Sequence, residues 1–282
     1  LTDMSNLRLG YNMRIYRPGI WYLNPYLNDT DPSYISQGNS ELDSEKSHAF
    51  NLSYSNFTQK FNINLSARYS FTNNSIENVT KLMPDTEIEG LKNPTGKDVL
   101  YSTYANIGKT RRASVSAYVN WNATPRTRIY MNMSGDYSYM EGSEGMRNDG
   151  WSLFAYGGAQ QTLPHDWRIS LNVFGQTPWI MLQGKGSSFF DYGLSVNKSF
   201  LNKRLTLSAF ASNFFKKYMD QSSTTEGAGF IRESSYKYSR QRFGISVSYR
   251  IGELKASVKK AARTISNDDV KSGGSGSGGG GE

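Results

Sequence analysis

The 282-residue chain has no cysteine, two histidines and eight prolines, and only 20% of its residues are charged. The missing cysteines exclude a disulfide-stapled scaffold and any thiolate zinc centre. His48 and His165 lie far apart in the chain, so an imidazole-rich metal site is not expected. No apolar run approaches the ~20 residues that cross a bilayer as a helix, which excludes a helical membrane protein. No phosphate loop or dinucleotide fingerprint is present. What the chain does have is aromatic side chains: 19 Tyr, 14 Phe and 5 Trp. That content argues against a disordered polymer. The net charge of +8 comes from 32 basic and 24 acidic residues. The basic residues are scattered singly, Lys109-Thr110-Arg111-Arg112 being the one dense run, so no nucleic-acid partner is expected.

Apolar and polar residues alternate with a period of two along most of the chain, the mark of strands with two unlike faces. Leu7, Leu9, Tyr11, Met13 and Ile15 alternate with Arg8, Gly10, Asn12 and Arg14. Phe61, Ile63, Leu65, Ala67, Tyr69 and Phe71 alternate with Asn62, Asn64, Ser66, Arg68 and Ser70. The last such run is Phe243, Ile245, Val247, Tyr249 and Ile251. Ten strands are expected, the others centred near 50–54, 113–121, 128–137, 151–159, 167–173, 190–196 and 204–211. Short connections fall at Phe57–Lys60, Ala123–Arg126, Pro164–Asp166 and Leu201–Lys203. Longer, irregular ones fall at 17–46, 77–99, 141–150, 178–187 and 218–234. Short links at one end and long links at the other, around alternating strands of roughly ten residues, are the pattern of an antiparallel up-and-down transmembrane β-barrel.

The polar faces are built from Asn, Ser, Gly and single charges, which suits a wet lumen. The apolar faces carry aromatics toward both ends: Trp121, Trp167 and Phe200 near short turns, and Tyr69, Phe71, Tyr137, Tyr139 and Trp151 near long loops. Amphipathic rings settle at both headgroup regions of a bilayer. Short turns belong in the periplasm and long loops outside, so the last strand runs down and ends in the periplasm. If the ten strands do not close on each other, the strands near 6–16 and 236–251 are left as open edges. Residues 1–252 are read as barrel strands. Residues 253–282, ending in a Gly/Ser-rich stretch, are read as a periplasmic, mostly disordered tail.

Within residues 17–45, Asn24-Pro25-Tyr26, Asp31-Pro32-Ser33-Tyr34, Gly38-Asn39 and Leu42-Asp43-Ser44-Glu45 resemble a segment of TonB-dependent outer-membrane receptors. The terminal Tyr249-Arg250-Ile251-Gly252-Glu253-Leu254-Lys255 is similar to the end of the related outer membrane protein beta-barrel family. Ser40 stands where many relatives have Pro. Members of that group carry an N-terminal plug inside a 22-stranded barrel. The resemblance therefore implies a partial barrel: the C-terminal ten strands of a larger protein in a Gram-negative outer membrane, lacking the plug and about twelve strands. Its implied partners are outer-membrane lipid, the missing strands and plug, the TonB energy-coupling system acting through the plug, and a small nutrient ligand. Two alternatives stay open: a self-contained ten-stranded surface protein or protease, and a soluble β-rich adhesin.

Trp21, Tyr22, Tyr26 and Tyr34 form an aromatic, proline-rich outer loop that either contacts ligand or folds over the strand ends as a lid. Arg8, Arg128, Arg168, Arg204 and Arg250 are expected on the lumen side near the short turns. There they either pair with carboxylates of a plug or fill the wet lumen. Tyr130, Phe174, Phe210 and Phe214 are expected to face the lumen. Asp29-Thr30-Asp31 lacks the further oxygens of a Ca²⁺ loop. His48 with Glu45 and Ser47 has catalytic residue types without a catalytic spacing, so no enzyme activity, cofactor or metal is expected.

Overall fold

A computed structural model describes residues 4–252 and 270–271. Ten strands form one antiparallel wall: β1 (Ser5–Pro18), β2 (Glu45–Phe57), β3 (Phe61–Pro84), β4 (Asp98–Thr124), β5 (Thr127–Glu141), β6 (Arg147–Leu163), β7 (Trp167–Gln176), β8 (Phe189–Phe200), β9 (Leu205–Ser212) and β10 (Arg242–Tyr249). Each pairs with its predecessor and successor in the wall. The wall does not close, because β1 and β10 do not pair with each other. Beside β1, Val270–Lys271 runs parallel to Arg17–Pro18. Within the described residues helix is limited to Ile20–Leu23 and two single 3₁₀ turns. The remainder of 253–282, read from sequence as a tail, lies outside the described residues.

Register fixes the faces. Leu9 pairs with Leu52, Leu52 with Ala67, Ala67 with Val115, and so on along one side. Arg8, Ser53, Ser66, Ser116 and Ser134 form the neighbouring row on the other. The apolar side is the exposed one: Leu9 is 80% exposed, and Val115 and Trp151 are each 63% exposed. Many of the hydroxyls opposite are half-buried, and Ser66 and Ser116 bond to each other at 2.6 Å. In water this would be inside out, since a soluble sheet turns its apolar face to the core. It is stable only where the outer solvent is itself apolar, as in a bilayer.

Several boundaries differ from the sequence reading. The segment 77–99 is not an irregular loop. Strand β3 continues to Pro84, and β4 starts at Asp98. Polar residues such as Asn78, Thr80 and Ser102 blur the alternation there. At 24 and 27 residues, β3 and β4 are more than twice the ~9–11 residues that cross a membrane. Their upper halves therefore stand above it as an arm. A register shift between Thr72 and Ile76 marks where the arm leaves the wall. Gly108 sits opposite, where a Cβ would strike the Ser75 hydroxyl and the Glu77 side chain. The segment 218–234 also orders, as a hairpin of Tyr218–Gly227 with Phe230–Ser239. Ile180–Met181 and Gly184–Lys185 join its edge. The last wall strand accordingly spans 242–249 rather than beginning near 236, and Ile251 lies beyond it. The chain stays paired one residue past the strand, since Arg250 N–H donates to Arg204 O at 2.8 Å. The short turns fall where expected. In the three-residue connection Pro164–Asp166, His165 and Asp166 both take left-handed backbone, at φ 59°.

Candidate functional site

The buried core lies almost entirely at the long-loop end, in a crown around the arm. Ile35, at 2% exposure, packs with Ile88 and Val99. Tyr22 packs with Leu42 and Ile76. Met140 packs with Ile180 and Leu182. Side-chain amides tie the crown together, each mimicking a peptide group. Gln183 accepts from Thr80 N–H at 2.7 Å and donates to Thr80 O at 2.9 Å, closing the free edge of the arm. Asn39 donates to Tyr104 O at 2.9 Å, and Asn106 holds both backbone groups of Asp43. Asn148 donates to the carbonyls of Met181 and Gly184. Gly38 is required where the loop passes the short helix, because a Cβ would land on the carbonyl oxygens of Asn24 and Tyr22.

This divides the four loop aromatics. Tyr22 is 8% exposed and meets Tyr104 edge-on at 4.6 Å. Burial, with Tyr104, Glu45 and Glu77 adding to it, pushes its hydroxyl up to about 12. Tyr34 is half-buried under Arg232, whose guanidinium lies 4.0 Å from the ring centroid. Trp21 and Tyr26 remain open to solvent, at 68% and 71% exposure. Tyr22 and Tyr34 therefore hold the lid in place, and only Trp21 and Tyr26 present free ring faces. Asp31 is spent locally on the Ser33 hydroxyl and N–H, at 2.7 and 2.9 Å, which hold its carboxyl below the usual range.

Below the crown, the polar side of the wall lines an open cavity of about 550 Å³. Its chemistry comes from Glu45, Arg68, Glu77, Arg112 and Asp136, with Ser70, Thr72, Thr110 and Ser114 between them. Pairing of Arg68 with Ser114, and of Ser70 with Arg112, makes the two guanidiniums diagonal neighbours on one face, within reach of a shared group. Arg112 Nε donates to Ser138 Oγ at 3.2 Å, and Asp136 accepts from Ser114. Glu45 is buried and accepts from Ile76 N–H. The face can therefore hold a polar ligand by charge-assisted hydrogen bonds. Across β5–β8 the same lumen side turns aromatic. Tyr130, Tyr156, Phe174, Phe154 and Phe189 run in ring contact, with centroids 4.5 to 6.4 Å apart.

The sequence reading named neither set in full. Strand parity puts Arg112 on the inner side and Arg111 on the outer one, an assignment the sequence reading did not make. What it lacked was register, which decides which inward residues are neighbours. Tyr130, Phe174 and Phe210 do share the polar side. Phe214 does not: it lies beyond β9 and packs against Tyr192, on the apolar side. Of the arginines expected at the rim, Arg8, Arg128 and Arg168 are exposed on the polar side of their strands. Arg128 Nε donates to Asn120 at 2.7 Å, and its guanidinium covers Tyr130. Arg204 and Arg250 fall just outside β9 and β10, at the same end of the wall. His48 turns to the apolar side, where Nδ1 meets the Tyr11 hydroxyl at 2.8 Å and the ring stacks on Phe71. Glu45 and Ser47 face the lumen, so the three do not converge.

A search of curated protein sequences found no match. Among solved structures, the copper transporter OprC superposes with a TM-score of 0.59 at 14% identity, covering 88% of this chain and 39% of that one. That likeness is one of fold, and the chain spans about two fifths of its neighbour's length. The model of the outer membrane protein beta-barrel family matches residues 1–249. With its lipid-facing apolar wall and wet inner face, the chain belongs to that family and resides in the outer membrane.

Proposed function

We propose that the chain is the C-terminal ten strands of a TonB-dependent outer-membrane receptor that takes up a nutrient ligand. The observation that carries this reading is the open wall: ten strands with a wet inner face that do not pair β1 to β10. Such a sheet needs further strands to cover its edges, because an unpaired strand edge in hydrocarbon leaves its backbone groups unsatisfied. The span of two fifths of OprC's length at the same fold supports the same view. In this reading the crown and the Arg68–Arg112–Asp136 cavity receive ligand from outside. The exposed arginines near the short turns contact a plug, whose displacement by the TonB system opens the path. The chain binds and conducts, and no catalytic step is assigned to it. Supporting that assignment, His48 points to the lipid side and His165 serves a tight turn.

The test uses the full-length gene product. It is expected to bind the periplasmic domain of TonB in pull-down and to migrate as a heat-modifiable barrel. Residues 1–252 refolded alone into vesicles are expected to give no closed, heat-modifiable species. A monomeric, protease-resistant ten-stranded barrel from that segment would favour the self-contained surface protein instead.

A further inference from the structure

Three rows of side chains cross the apolar face of β2–β6 at its upper margin, and their chemistry changes in order. The lowest row is aromatic: Phe50, Tyr69, Tyr137 and Trp151, joined by Ala113. The middle row runs His48, Phe71, Arg111, Tyr139 and Asp149. The upper margin carries Lys109, Glu141 and Arg147, and Lys46, which pairs with Ile15 of β1. Alternation places all of these on the side that faces lipid. Arg111 lies over Phe71 at 5.5 Å, and Arg147 over Tyr139 at 4.8 Å. Glu141 and Asp149 lie 3.5 Å from Lys109 and 4.0 Å from Arg147 and offset half of the formal charge; Lys46 and Arg111 keep the patch net positive, and both pairs are solvent-exposed and so weakly held. At the short-turn margin of the same face, Lys198 is the one basic side chain among the described strand residues, and it lies over Trp167 and Phe200. The asymmetry is therefore one of charge and not of aromatic content.

We propose that the Lys46–Lys109–Arg111–Arg147 patch binds the phosphate groups of a glycolipid in the outer leaflet, with its acyl chains lying against the aromatic row below. Charge complementarity selects this occupant. A zwitterionic phospholipid would leave the cations partly uncompensated, and a protein partner would have to displace lipid from Phe50, Tyr69 and Trp151. The spacing suits a phosphorylated disaccharide. Lys109 and Arg147 stand two strands apart, as do Lys46 and Lys109, about 10 Å at ordinary strand spacing. One headgroup can thus meet two cations at once. The proposal rests on the outer-membrane location and not on the transport reading, so the two fail separately.

The test measures binding of bisphosphorylated lipid A to the full-length protein in detergent by native mass spectrometry. Dephosphorylated lipid A and free inorganic phosphate are run alongside. Substituting Lys46, Lys109, Arg111 and Arg147 by Gln together should weaken binding about a hundredfold or more, at about fivefold for each charge. Removing the lipid's phosphates should do the same to the unaltered protein, and millimolar inorganic phosphate should not compete. The lumen pair Arg68→Gln with Arg112→Gln should leave lipid binding unchanged. Equal binding by the fourfold variant, equal binding of dephosphorylated lipid, or equal loss in the lumen variant overturns the proposal. If the fourfold variant loses heat-modifiable migration, Lys46→Gln and Arg111→Gln are read singly. Each should weaken binding about fivefold, and no change in either overturns the proposal.

Discussion

The wall and the crown are made by one chain and obey opposite rules. In the wall, Leu9, Val115 and Trp151 are open and Ser66 and Ser116 are half-covered. In the crown, Ile35, Val99 and Ile180 are sealed, and the carboxylates of Glu45 and Asp85 are buried with them on backbone N–H groups. The same two strands, β3 and β4, pass from one regime to the other at the register shift between Thr72 and Ile76. Which side chains a β-sheet buries is thus set by the solvent at each height and not by the strand itself. The crown needs the hydrophobic effect. The wall needs satisfied backbone groups and an apolar medium.

This contrast can be broken at chosen positions. The largest effect is expected in the crown: Ile35→Ala should cost about 2–5 kcal/mol of local stability, read as faster proteolysis of 17–45 while heat-modifiable migration persists. In the wall, Leu207→Arg should cost roughly 2–4 kcal/mol of folding stability in vesicles if it lies near the midplane, measured by urea titration. Its neighbour Ser208→Arg, on the wet side, should cost far less. Equal costs at 207 and 208 would erase the distinction between the faces. A smaller change is expected from Arg232→Ala, which removes the cation over Tyr34 and with it about 0.5–1 kcal/mol, seen as faster hydrogen exchange at Tyr34–Ser36.

The mildest perturbation is acid. Asp85 accepts from Thr95 N–H and hydroxyl and from Gly96 N–H, which hold its carboxyl below the usual value. Its folded pKa is depressed, so its stabilisation is present above the ordinary value near 3.8 and is lost as pH falls through the lower folded one. Exchange at the arm tip, residues 85–97, should therefore accelerate in that window while the wall is unchanged.

How much of this was legible follows from the same contrast. Parity of two shows all ten wall strands, both faces and the short turns, because every wall residue meets one of two fixed environments. It fails above the membrane. Thr80 and Ser102 are polar yet buried, because Gln183 and neighbouring polar side chains satisfy them. A strand covered on both sides loses its alternation. The arm therefore reads as a loop, and 218–234 does so for the opposite reason: no residue of that hairpin is buried, so no covered face imposes an alternation. The lumen cavity was half legible: Arg68 was placed on the polar face, but its nearness to Arg112 depends on register. Tyr22 looked like Trp21 because nothing local separates them; only Leu42 and Ile76, distant in sequence, bury one and not the other.

Within the wall, each strand pairs only with the strands before and after it. Such an array behaves as a one-dimensional chain of hairpin units, each felt mainly by the next. Insertion or loss of a hairpin alters circumference while leaving distant registers intact. Ten strands can therefore carry their own pairing rules inside barrels of different girth, and the width of the pore is a matter of copy number rather than of a redesigned core.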